Sequence, residues 1–344
     1  MTRDTANKTV PPRTIGVREV AAMAGVSIGT VSNVLNSPER VGEATKKRVE
    51  AAMDELGFVP SRAAGQLRSR RSKLIGVVVP DVGNPFWATV LRGVESVTDK
   101  AGLTMVVASS RQDTVRQLHL LRVLESQGVD GLVIAPISDR PDDWAAFKES
   151  RFGVVSLEKQ TPGTTGAWVS LDHVKGARMA MKHLVDLGHR KIALVNGPSS
   201  VSWCAERRQG AVEAILEHGL DPSEVIVDVV VQDLTVTEGT KAVTPLLEAG
   251  NITAVMCVND MLALGALLAI RQKKKNVPED IALVGYDDAD FAAALNPPLT
   301  TVHQPAFKMG SAAAELLLDI EPTRSEQHVT FEPRLVVRES SASA

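Results

Sequence analysis

Residues 17–36 read VREVAAMAGVSIGTVSNVLN, and this stretch decides the N-terminal fold. Val17, Val20, Ala21 and Ala24 recur at helical spacing, so they share one face of a short amphipathic helix. Gly25 suits the sharp turn that follows, because without a Cβ it takes a positive φ at no steric cost. Ser27 stands where an N-cap belongs, its hydroxyl placed to accept from a free N–H of the next turn. Val31, Val34 and Leu35 form the apolar stripe of a second helix, and small Ala21 lets the two helices cross closely. The pattern is that of a helix-turn-helix, whose second helix enters the DNA major groove with its N-terminal residues nearest the base edges. Ile28, Gly29 and Thr30 lie there, with Ser32 and Asn33 further along. Two short helices around a glycine also occur in proteins that bind no DNA, so the rest of the chain decides.

A third helix is expected over Glu43–Leu56, with Ala44, Val49, Ala52, Met53 and Leu56 packing on the first two and Gly57 ending it. Residues 1–14 are polar and proline-containing, the composition of a disordered tail. Pro60 to Arg71 reads PSRAAGQLRSRR, a basic linker whose one large apolar residue is Leu67. Residues 1–73 carry 13 Lys and Arg against 7 Asp and Glu, a net +6, and the remainder carries 25 against 34, a net −9. The overall −3 therefore hides a basic module on an acidic body, the footprint of a nucleic-acid reader joined to something else.

A length of 344 residues suggests two or three domains, at roughly 100–200 residues each. Cys204 and Cys257 are far apart, Cys257 lies in an apolar run where burial is expected, and neither has neighbours with metal-ligand spacing. No metal and no cofactor are expected. The N-terminus lacks the apolar segment of a leader, and no apolar run approaches the ~18 residues of a membrane span. The expectation is a soluble cytoplasmic protein without a membrane partner. No G-x-S-x-G elbow, P-loop or dinucleotide fingerprint is present, which argues against an enzyme.

From Leu74 the texture changes to short β-branched strands alternating with helices, the signature of parallel sheets covered on both faces. Strands are expected at 75–79, 104–108, 131–134 and 154–157, then at 192–196, 226–230, 254–258 and 282–285. Helices are expected at 88–101, 115–127, 176–187, 207–218, 239–248 and 261–274. Two such runs predict two similar α/β lobes, with ligand binding beyond the carboxyl ends of the strands, in the cleft between them.

Several motifs in order make the chain resemble the lactose-repressor (LacI/GalR) family of bacterial transcription regulators. They are VREVAAMAGVSIGTVSNVLN at 17–36, GFVPSRAAGQLR at 57–68, IGVVVPDVGNPFW at 75–87 and VDGLVI at 129–134. The C-terminal half adds HLVDLGHRKIALVNGP at 183–198, VNDMLALGAL at 258–267, VPEDIALVGYDD at 277–288 and PPLTTVHQP at 297–305. The resemblance implies a three-helix headpiece (residues 15–59), a hinge (60–73), and a two-lobed periplasmic-binding-protein-like (type I) α/β domain (74–344) for effector binding and dimerisation. It implies a homodimer on palindromic double-stranded operator DNA, controlled by a carbohydrate-like or nucleoside-like effector. Few residues remain after Glu339, so no tetramerising leucine-heptad tail is expected.

By this resemblance the linker folds into a hinge helix on DNA and Leu67 wedges into the minor groove, unstacking a base step in return for further contacts. Ser61, Arg62, Gln66 and Arg68 would touch groove and phosphates, and Gly65 would weaken that helix by up to ~1 kcal/mol relative to Ala. Base readout would fall to Ile28, Gly29 and Asn33. The family commonly has Arg at the last of these; Asn can instead pair bidentately with adenine. Thr30, Ser32 and Thr45 would bind phosphates. In the cleft the resemblance places Phe86, Trp87, Glu158, Arg207, Asn259, Asp287 and Gln304, with Asp260 and Asp288 as structural caps. Sugar-binding relatives often carry an Arg five residues before the helix glycine matching Gly210; here that position is Ala205, with Trp203 nearby and Arg207 retained. The sugar grip, and with it the ligand class, is thereby left open. The alternative is a small-molecule binding or transport component of the same two-lobed fold.

Overall fold

The computed structural model describes residues 15–58, 72–138, 140, 144, 152–158, 167–319 and 327–342. The expected tail (1–14) and the hinge residues Ser61, Arg62, Gln66, Leu67 and Arg68 lie outside the described residues. The chain divides into two units, Met1–Ser72 and Lys73–Ala344.

In the first unit, α1 (Val17–Ala24), α2 (Ile28–Asn36) and α3 (Glu43–Leu56) enclose a small core of Val20, Ala21, Ala24, Val31, Val34, Val49 and Ala52. Gly25 takes φ 64° and closes α1 in the left-handed region. The Glu19 carboxylate accepts from the Gly16 N–H, and Ser27 Oγ accepts from the Thr30 N–H at 3.0 Å, so side chains satisfy the starts of α1 and α2. One expectation is corrected: Ala44 is exposed, because it stands in the first turn of α3, and Phe58 packs against the core instead.

The second unit holds two six-stranded sheets. One has the order β11-β5-β4-β3-β1-β2, built from β1 (Leu74–Val79), β2 (Thr104–Ser109), β3 (Gly131–Ile134), β4 (Gly153–Leu157), β5 (Ala167–Leu171) and β11 (His328–Phe331). The other has the order β12-β10-β9-β8-β6-β7, from β6 (Ile192–Asn196), β7 (Ile226–Val230), β8 (Ala254–Cys257), β9 (Ala282–Asp287), β10 (Thr300–His303) and β12 (Arg334–Val336). All recorded pairings are parallel except β10 with β12. Central strands such as β6 and β9 are buried throughout, as parallel strands covered on both faces must be.

The flanking helices are α4 (Pro85–Thr98), α5 (Thr114–Ser126), α6 (His173–Asp186), α7 (Ser202–Glu217), the short α8 (Pro222–Val225), α9 (Val236–Ala249), α10 (Asp260–Gln272) and α11 (Ala306–Leu318). The chain passes between sheets after β5, after β10 and after β11, so α11 packs on α4 in the N-lobe although it follows the C-lobe strands. All six expected helices begin one to five residues earlier than their apolar spacing suggests, and in all but α7 a polar cap sets the start. Asn84, Asp113, Asp172 and Thr235 accept from the N–H groups of Phe86, Arg116, Lys175 and Glu238. Both cysteines are buried, and burial pushes the Cys204 thiol up to about 12.

Candidate functional site

Two surfaces collect the residues singled out in the sequence. On α2, Ile28 is 51% exposed, and Gly29 and Asn33 are exposed beside it. Thr30 and Ser32 are half-buried; the Thr30 hydroxyl lies 2.9 Å from Ser27 Oγ, and the Ser32 carbonyl accepts from Asn36 Nδ2. Thr45 sits half-buried in the first turn of α3. The helix thus presents one apolar tip, one bare backbone position and one amide, the group set needed to read base edges.

The second surface is a cleft between the lobes. Phe86, Trp87, Glu158, Arg207, Asn259, Asp287 and Gln304 all line it. They converge because each follows, or ends, a strand at its carboxyl end: β1, β4, β6, β8, β9 and β10 in turn. Pro80, Asp81, Asn84, Gln112, Trp203 and Leu234 complete the wall by the same rule. Phe86 and Trp87 meet edge to face, with centroids 4.9 Å apart and planes at 76°.

Behind the wall lies a polar network that motif reading missed. His173 Nε2 is 2.5 Å from Glu158 Oε2, and its Nδ1 accepts from Arg207 Nε at 3.3 Å. Arg207 Nη1 donates to the Val258 carbonyl, and the guanidinium carbon lies 3.7 Å from the Tyr286 ring centroid and 4.9 Å from that of Trp203. Glu158, His173 and Arg207 are each at most 4% exposed, so their polar groups are satisfied within the protein rather than by bulk water. His173 directly follows the cap Asp172, where one lobe gives way to the other, but as an isolated histidine it carries no signal of its own in the sequence.

Asp287 ends β9, with φ 115°, and accepts from Gln304 Nε2 at 2.7 Å. Burial pushes its carboxyl up from 3.8 to about 7; Arg207 and the Gln304 and Asn84 hydrogen bonds pull the other way. Asn259 lines the cleft but also caps α10, its Oδ1 accepting from the Leu262 N–H and its Nδ2 donating to the Leu234 carbonyl. The cap is therefore Asn259 and not Asp260. Asp260 is buried and ties β10 to the loop after β9 through the Thr301 hydroxyl and the Ala289 N–H. Asp288 pairs with His303 and Arg338, and the hydrogen bond from His303 leads in holding its carboxyl below the usual range. Among the described residues no group of three metal-ligating side chains comes together, and no helix is long and apolar enough to cross a membrane.

Comparison with known proteins matches both parts of the chain. Residues 16–61 match the family described as bacterial regulatory proteins, lacI family, and residues 181–341 match the periplasmic binding protein-like domain. The HTH-type transcriptional repressor PurR of Photobacterium profundum is 34% identical over 336 residues, covering 94% of this chain and 98% of its own length. The structure of the transcriptional regulator CelR in complex with cellobiose is 33% identical, with TM-score 0.68, and covers 95% of this chain and 100% of that one. The Lac repressor dimer bound to operator and the anti-inducer ONPF is 29% identical, with TM-score 0.78, covering 96% and 100%. With an N-terminal helix-turn-helix, a two-lobed body behind it and relatives matched over nearly their full length, the chain belongs to the LacI family of bacterial transcriptional regulators.

Proposed function

We propose that this protein is a cytoplasmic repressor that binds a palindromic operator as a homodimer and whose operator affinity is set by a small molecule in the interlobe cleft. The carrying observation is the convergence of seven separately expected side chains on one cleft, in a chain that also presents an exposed recognition helix. A single headpiece is too small to address a long site, so two-fold symmetry supplies the length. Asn33 and Ile28 read bases, with Gly29 offering backbone only. Thr30, Ser32 and Thr45 position the headpiece on phosphates, and Leu67, flanked by Ser61, Arg62, Gln66 and Arg68, engages the minor groove at the operator centre. The cleft acts by differential affinity: a ligand shifts operator binding only as far as it prefers one lobe arrangement over the other. The effector-bound and operator-bound relatives support this division of labour. Transcriptional control and not turnover is the proposed activity.

Selection of bound duplexes from a random DNA pool by the full-length chain tests the reading. The expected product is a two-fold symmetric consensus whose protection from nuclease changes when a cleft ligand is added. Binding without any sequence preference at moderate salt would refute it.

A further inference from the structure

Two consecutive residues at the end of β9 hold a backbone that residues with a side chain rarely adopt: Asp287 at φ 115° and Asp288 at φ 56°. Such backbones persist only where the surrounding structure over-determines them. On the cleft side, the Gln304 and Asn84 side chains reach the Asp287 carboxyl rather than the chain. The restraint on the chain comes from behind the cleft. The Asp288 N–H donates to Thr301 Oγ1 at 3.3 Å, and the Ala289 N–H donates to Asp260 Oδ2 at 2.8 Å. The Asp288 carboxylate accepts from His303 Nδ1 at 3.0 Å on one oxygen and from Arg338 Nη2 at 2.6 Å on the other. The Arg338 and Asp288 side chains are 19% and 14% exposed, so this charge-assisted pair is largely shielded from water.

Arg338 is itself firmly placed. It lies in the segment after β12, where its Nη1 donates to the Leu299 carbonyl at 2.7 Å and its N–H to Thr300 Oγ1 at 2.9 Å. Two residues on, Ser340 is joined to the middle of β9: the Leu283 N–H donates to its carbonyl, and its Oγ donates to the Leu283 carbonyl at 2.6 Å. Ser340 and Ser341 are 1% and 3% exposed. The segment is thus stitched to β9 and β10, the two strands that deliver Asp287 and Gln304 to the cleft. Of the described residues that line the cleft, neither Asp288 nor Arg338 is one.

We propose that Arg338 and Asp288 are positioning residues of the effector cleft: from behind, they hold Asp287 in the left-handed backbone that sets its carboxyl into the cleft wall. The proposal rests on the reading above only in calling the cleft an effector site. The response to a ligand then depends on a segment that does not touch it. The groups that face the Asp287 carboxyl are Arg207 from α7, Glu158 from the end of β4, Asp260 from α10 and the neutral donors Asn84 and Gln304. Arg338 acts on the neighbouring carboxylate and through it on the backbone. If that hold is released, Asp287 relaxes toward water and loses the burial that keeps it poorly ionised.

The test needs no ligand. Urea denaturation of the full-length chain at pH 5 and pH 8 compares Asp287→Asn with the wild type in two backgrounds. In the wild-type background the change removes a buried charge at pH 8 only, so its gain in folding constant should be at least about tenfold larger there than at pH 5. In the Arg338→Gln background the same change should yield about a tenth of that gain or less. Arg338→Lys keeps a donor and a charge for Asp288 and should restore most of it. Asp288→Asn breaks the pair from the other side while nearly preserving shape. It should act as Arg338→Gln does and serves if that variant folds poorly. A merely structural Arg338 lowers stability at both pH values and leaves the Asp287→Asn gain intact. A purely electrostatic one enlarges the gain, because a cation has been lost near the carboxyl. Either result, or no pH-dependent gain in the wild-type background, would overturn the proposal. Duplex selection, which uses neither variant, decides the regulator reading separately.

Discussion

Glu158 and Asp287 occupy equivalent places in the two lobes. Each stands at the carboxyl end of the third strand in its sheet order, β4 and β9, and each holds a positive φ, 119° and 115°. Such a backbone costs on the order of 1–3 kcal/mol in a residue with a side chain, and is kept where the surrounding structure over-determines it. Asp287 adds a pH dependence with a definite sign. Its carboxyl is raised from 3.8 to about 7. Below about pH 4 the acid is neutral in folded and unfolded chains alike and the site costs nothing. Between that point and pH 7 the unfolded chain ionises first, so folded stability declines across the window and the penalty is complete above it. Asp287→Asn keeps an acceptor for Gln304 and removes the charge. It should leave chemical-denaturation stability near pH 4 unchanged and raise it at pH 8, at ~1.4 kcal/mol per pH unit between the two values. Parallel curves for the two proteins would show that the carboxyl titrates normally. On the other surface, Asn33→Ala should relax operator preference at one base position by roughly 1–3 kcal/mol. Uniform weakening across operator variants, measured by competition binding, would make Asn33 a backbone contact instead.

At the scale of elements, close helix packing carries much of the second unit. An added Cβ at Gly93 would collide with the Phe307 carbonyl on α11, and one at Gly310 with the Val90 carbonyl on α4, so these helices touch backbone to backbone. Gly310→Ala must push α11 from α4 and should cost ~1–3 kcal/mol, read as a lower Tm at unchanged secondary structure. An unchanged Tm would mean the helices have room to part. The same packing explains what could be read from residues alone. The α4 pattern was visible because valines repeat along its buried face, although its true start at Pro85 was hidden behind a polar cap. Strands β5, β10, β11 and β12 were not visible as strands. They are three to five residues long, carry polar residues such as Ser170, Thr300, Thr301 and His328, and pair with strands distant in sequence. In the cleft, Asp287 and Gln304 could be found from motif and strand end. His173 and Gln112 could not, because an isolated histidine or glutamine carries no signal until the fold brings a partner or a cavity to it.

For the whole molecule, the question is what ties one lobe to the other across the cleft. Glu158 belongs to the N-lobe sheet, whereas His173 opens α6, which packs on α7 in the C-lobe. Their contact at 2.5 Å is therefore a buried bridge between lobes, and Arg207 extends it into the C-lobe wall. Asn84 to Asp287 is a second such link, from the loop after β1 to the end of β9. If cleft ligands act by stabilising one lobe arrangement, these bridges set the starting population on which a ligand works. Removing one partner leaves the other buried and poorly paired, so His173→Gln and Glu158→Gln should each lower ligand affinity and Tm. Because both changes break the same bridge, the double variant should lose little beyond the worse single one. The deficit from additivity should reach about 0.5–3 kcal/mol, the range for residues in direct contact. Operator binding without ligand supplies the readout that a merely structural role would not move. A shifted lobe equilibrium changes the ratio of ligand-free to ligand-bound operator affinity, whereas simple destabilisation lowers both together. Additive losses with an unchanged ratio would show that Glu158 and His173 serve the cleft separately, and that the lobes are held by the three chain passages and the remaining contacts alone.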